Sequence, residues 1–114
     1  MGHYSVCYYS GMKSFSIDAY VIDTLMRDLI EHDGRPSAFV VYLYLWGRTI
    51  GQSKRNVHQS HQQLADATGL SKSAVQGAIR TLTKRQLVSA KRRSRTARPE
   101  YTVLRPWAER GQDP

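Results

Sequence analysis

The 114-residue sequence predicts one mostly α domain with a small β-hairpin, an α+β fold. Three observations carry this expectation. Apolar residues recur at helical spacing in four successive segments, from Ile17 to Leu29, Phe39 to Ile50, Leu64 to Ala65 and Val75 to Leu82. Two short β-prone stretches, Leu87-Val88 and Tyr101-Thr102-Val103-Leu104, flank the basic run KRRSRTARP. The length suits a single domain and leaves no room for a second, separate one.

The elements follow in chain order. Residues 1–16 are rich in Tyr and Ser, show no clean period, and are expected to be a loosely ordered segment. A short strand through Tyr4, Val6, Tyr8 and Ser10 is the rival. A helix is predicted over about 18–32, because Ile17, Val21, Leu25 and Leu29 fall four apart with Ile22 and Met26 beside them. This broad stripe suits packing on its own domain or pairing with a second copy. Asp33-Gly34-Arg35-Pro36 breaks the chain. Pro36 then fits the first turn of a helix that is apolar on nearly every face, so this helix should be central. Gly51 is expected to end it. Residues 52–59 read as a polar connection.

The stretch from Ser60 to Val88 organises the chain. Ser60 with Gln63 is a capping box, and Leu64 and Ala65 share one face of the helix it opens. Gly69 suits the left-handed conformation that closes a helix. Ser71 can cap a second helix, with Val75, Ile79 and Leu82 four and three apart. Two short amphipathic helices on a tight glycine turn are a helix-turn-helix, here at about 60–84. A hairpin over about 87–104 follows, with Pro99 at its edge. Pro106 should end the pattern; Trp107 is expected to fold back on the core, and 107–114 reads as a tail. The domain proper is thus 17–106.

Leu64-Ala65, Thr68-Gly69-Leu70-Ser71, Val75, Ala78-Ile79, Leu82 and Leu87-Val88 together resemble the winged helix-turn-helix superfamily of bacterial DNA-binding proteins. The resemblance covers about residues 36–104. The pattern is shared by marR-like and gntR-like repressors and by plasmid replication initiators. It implies a winged helix with an extra N-terminal helix, a short strand near Asn56 to His58 pairing with the hairpin, and a small bacterial or mobile-element transcription regulator that binds duplex DNA. Replication initiation on the same domain is one alternative. A winged helix serving protein–protein interaction is another. A homodimer through the N-terminal helix, and a place in the cytoplasm on the nucleoid, follow the same resemblance.

Charge points the same way. The formal net charge is +8, and such a surface attracts polyanions. It is unevenly placed. Residues 1–34 hold two bases against five acids, whereas residues 71–98 hold nine bases and no acid. A merely solvated surface usually mixes signs. The lone Cys7 excludes an intramolecular disulfide and fits a reducing compartment. No apolar run nears the roughly 18 residues of a membrane span, and no secretory signal pattern is expected at MGHYSVCYYSG.

Specific residues can then be given roles. On a wheel at about 100° per residue, Ser73, Gly77, Arg80 and Lys84 oppose the apolar face, with Gln76 beside them. A helix fits the major groove, where Gln pairs with adenine and Arg or Lys with guanine. The expected recognition helix, 71–84, therefore offers Ser71, Lys72, Ser73, Gln76, Gly77 and Arg80, the glycine letting the backbone come close to DNA. The wing offers Arg92, Arg93, Ser94, Arg95, Thr96 and Arg98 for phosphates or a narrow minor groove. Ser60, His61, Gln62 and Lys84 are expected at phosphates, as is Arg85 unless it faces solvent. Enzyme chemistry is not expected. His58 and His61 are three apart, but no second Cys or acid pair completes a metal site. Cys7 has no obvious basic setting, and no Gly-rich phosphate loop is present, so no metal and no cofactor are expected.

Overall fold

A computed structural model describes residues 14–109. Tyr4, Val6, Tyr8, Ser10 and Cys7, and the tail beyond residue 109, lie outside the described residues. Five helices and three strands follow one another: α1 (19–32), α2 (Pro36–Arg48), β1 (Val57–His58), α3 (His61–Thr68), α4 (Lys72–Lys84), β2 (Val88–Lys91), β3 (Glu100–Val103) and α5 (Pro106–Glu109). The fold is α+β. None of these helices is long and apolar enough to cross a membrane.

The centre is α2, as its sequence requires. Ala38, Phe39, Val41, Tyr42, Leu45 and Trp46 are all buried on it. It packs most extensively on α4, and also touches α1, α3 and β3. Around it, Val21, Leu25 and Leu29 from α1, Leu64 from α3, and Val75, Ala78 and Leu82 from α4 complete one core. At about 25 cal/mol per Å² of apolar surface removed from water, this continuous core is the main force that orders the helices.

Helix α1 winds partly in a widened register: Met26 N–H reaches back five residues to the Val21 carbonyl, and Asp33 N–H reaches Asp28. The apolar spacing explains this. On a regular α-helix, residues four apart drift by about 40° per step. A wider turn removes the drift and keeps Val21, Leu25 and Leu29 on one buried line. Ile17, expected on that stripe, precedes the helix and stays exposed. Ile22 and Ile30 are also exposed.

The caps are those read from the sequence. Ser60 Oγ accepts from Gln63 N–H at 3.0 Å, while Ser60 N–H donates to Gln63 Oε1 at 2.8 Å. Gly69 is left-handed at φ 82° and closes α3. Ser71 Oγ accepts from Ala74 N–H at 3.0 Å and opens α4. The end of α4 is less obvious: Gln86 takes the left-handed position at φ 60°, with Leu87 N–H bonded to the Leu82 carbonyl at 2.9 Å.

The sheet is antiparallel in the order β1-β3-β2. Val57 faces Tyr101, and Val88 faces Val103. The short strand expected between Asn56 and His58 is therefore present as Val57–His58, on the outer side of β3.

Three expectations at the edges of the domain need correction. Gly51 does not end α2, which stops at Arg48 and runs on into a tight turn at Ile50–Gln52. Gly51 and Gly47 instead make room for the Phe15 ring: a methyl group on either would stand 2.9 or 3.1 Å from a ring carbon. Residues 14–16 are accordingly part of the fold, and Trp46 Nε1 donates to the Ser16 carbonyl at 2.9 Å. At the other end, Pro106 starts a helix rather than ending the pattern, and Trp107 is buried as expected.

Asp18 ties these two ends together. It accepts from Arg105 Nε at 2.8 Å, from Arg105 Nη2 at 2.7 Å and from Trp107 Nε1 at 2.9 Å. Tyr20 stacks on Trp107 at a 4.6 Å centroid distance. Asp18→Ala leaves the indole N–H without this acceptor and should cost about 2–3 kcal/mol, read as a lower urea midpoint with an unchanged slope.

Candidate nucleic-acid interface

Three elements converge at one end of the molecule: the start of α3, the start of α4 and the tip of the β2–β3 hairpin. A hollow of about 280 Å³ lies between them, lined by Ser60, His61, Gln62, Lys72, Gln76, Arg92, Arg95, Thr96, Ala97, Arg98 and Pro99. Nine of the seventeen residues read from the sequence as DNA contacts meet here. No carboxylate is among the lining side chains. The turn at Gly69 aligns the starts of α3 and α4, and the bond from Gln59 N–H to the Pro99 carbonyl, at 3.2 Å, fixes the hairpin to the start of α3.

The hairpin tip is held by its own polar groups. Arg92 Nη1 donates to the Arg95 carbonyl at 3.1 Å, and Ala97 N–H donates to Ser94 Oγ at 3.2 Å. Ser94 thus shapes the turn. Arg93 and Ser94 are exposed but do not line the hollow. Arg93 lines a second hollow, of about 640 Å³, on the hairpin, with His58 and Glu100 also in its wall. His58 Nε2 lies 3.5 Å from Glu100 Oε2, so this histidine has an acid partner of its own.

On α4 the apolar residues Val75, Ala78, Ile79 and Leu82 are buried, and Ser73, Arg80 and Lys84 are exposed on the opposite face. That matches the wheel. Ser71 caps the helix through its side-chain oxygen, so its acceptor is already in use. Gln62 Nε2 bonds Asp66 Oδ1 at 3.0 Å, one turn further along α3.

Two of the expected roles do not survive. Gly77 does not present an open backbone; it is buried, because the Arg35 side chain lies across it. Arg85 is engaged within the fold instead. It binds Asp33 at 3.2 Å and Asp28 at 3.3 Å, holding α1 to the end of α4. Asp33 is pulled below the usual carboxylate range, first by its hydrogen bond with His32 and then by Arg85. Helical spacing alone could not show either contact, since the partners come from the last turn of α1 and from the turn before α2.

Electrostatics single out His61. Burial, Arg92 and Lys72 all push its pKa below the ordinary imidazole value, so neutral His61 is favoured in a strongly positive surround. An anion placed in the hollow would reverse that preference.

Comparison with known proteins yields no relative: no family model, curated protein or solved structure matches the chain. The geometry of the site therefore carries the functional argument.

Proposed function

We propose that this protein is a winged helix-turn-helix DNA-binding protein that occupies duplex DNA as a transcription regulator. In this reading α4 enters the major groove, with Lys72, Ser73, Gln76 and Arg80 towards base edges, and the hairpin is the wing on the adjacent backbone. The carrying observation is the acid-free hollow in which the starts of two helices and a basic hairpin tip converge. Helix starts expose N–H groups and a partial positive charge, so they suit phosphate. Arginines beside them add bidentate donors.

A salt series on a random-sequence duplex tests the reading. Log affinity should fall linearly with log salt, as counterions leave the DNA. Neutralising Arg92, Arg93, Arg95 and Arg98 together should flatten that line by about 3–4 units of slope. No binding at low salt would exclude the reading, and an unchanged slope would exclude the hairpin contact alone.

Gln76→Ala should cost about 1–3 kcal/mol on a selected site and relax preference at one base pair. Equal loss on every sequence would instead make Gln76 a backbone contact.

His61 gives a pH signature. Its pKa is lowered in the free protein, and a phosphate in the hollow raises it. Binding then takes up a proton, so affinity should rise as pH falls through the bound-state pKa and level off below the free-state one. The His61→Gln variant should bind without that component of the pH dependence.

A further inference from the structure

Arg35 was not among the residues the sequence pointed to. It closes the turn before α2, at φ −133° and ψ 75°, immediately ahead of Pro36. Its side chain crosses to α4. A methyl group built on Gly77 would stand 2.6 Å from Arg35 Nη1 and 3.3 Å from its Cζ. The glycine is therefore the seat of the guanidinium. Any larger residue there displaces it.

The position of this seat matters. One flank of α4 carries Lys72 and Gln76 and faces the hairpin across the hollow. The other flank faces the end of α1 and the turn after it, where Arg85 meets Asp28 and Asp33. Gly77 lies towards this second flank, next to the outward line of Ser73, Arg80 and Lys84. Arg35 is itself exposed, and among the described residues no carboxylate pairs with it. The nearby acids already serve Arg85 and His32. The turn thus holds against the helix a cation that no carboxylate contacts directly, on the side away from the hairpin.

We infer that Arg35 is a DNA-contacting residue that holds a backbone phosphate on the groove wall opposite the hairpin, and that Gly77 is there to seat it. This rests on the duplex-binding reading above. A helix with its side chains is about 10–12 Å across, and the major groove is about 12 Å wide. A helix in the groove therefore turns its two flanks towards the two phosphate walls. The hairpin meets one wall. Arg35 meets the other, from a separate element of the fold, and brackets α4 in the groove.

The test uses the full chain, a random-sequence duplex and a salt series. Arg35→Met keeps the length of the side chain over Gly77 and removes its charge. It should lower the slope of log affinity against log salt by about 0.9 and weaken binding about eight-fold at 0.1 M salt, with an unchanged melting temperature. Gly77→Ala should weaken binding similarly while the melting temperature holds or rises, since alanine favours the helix. In the double variant, Gly77→Ala should add no further loss. Wild-type affinity and slope in Arg35→Met, beside a clear loss in Lys72→Ala, would overturn the role of Arg35 and leave the duplex reading standing. Absence of binding by the wild-type chain would overturn both. A further loss from Gly77→Ala in the Arg35→Met background would show that the glycine itself faces DNA, and would overturn its assignment as the seat.

Discussion

A helix that is apolar on nearly every face is stable in water only if other elements cover most of it. Helix α2 sets this condition for the whole chain. Helix α4 covers it most extensively, with α1, α3 and β3 on its other sides. Its two buried polar-tipped aromatic residues then fix what lies at its margins. Tyr42 donates to the Leu104 carbonyl at 3.0 Å and Trp46 to the Ser16 carbonyl at 2.9 Å. Burial raises the Tyr42 pKa, with the Asp18 carboxylate adding to the rise, so the phenol stays a donor. The orientation of α4, and hence the direction in which its polar face points, follows from its packing on α2.

Charge is arranged on top of this packing. Three of the five acids of the N-terminal region are engaged within the fold: Asp18 by Arg105 and Trp107, Asp28 and Asp33 by Arg85. What remains uncompensated is the basic side made by the starts of α3 and α4, the hairpin and Arg35. The opposite signs along the sequence are thus not two faces of equal standing. One is spent holding helices together, and the other is left open.

The sequence made the local features legible and the long-range ones not. Caps at Ser60 and Ser71, the turn at Gly69, the hairpin and the apolar line of α4 depend on residues within a few positions of one another. Their chemistry is visible in a window. The seat of Arg35 on Gly77 joins residues 42 apart in sequence, and the ion pairs of Arg85 join residues 52 and 57 apart. Nothing local distinguishes a glycine facing solvent from one covered by an arginine. The same holds for Gly51, expected at a helix end, which together with Gly47 admits the Phe15 ring. In the candidate site, residue types were readable, and which of them share a hollow was not.

The carboxylate of Asp18 has a mechanical consequence. It joins the entry of the described chain to its exit, 87 residues later. A pull applied across these two points loads that cluster of bonds directly. The hairpin, α3 and α4 lie within the closed loop and carry less of the tension while the clasp holds. Neighbouring chain attached on either side can therefore be tugged with less strain on the face where the helix starts and the hairpin meet.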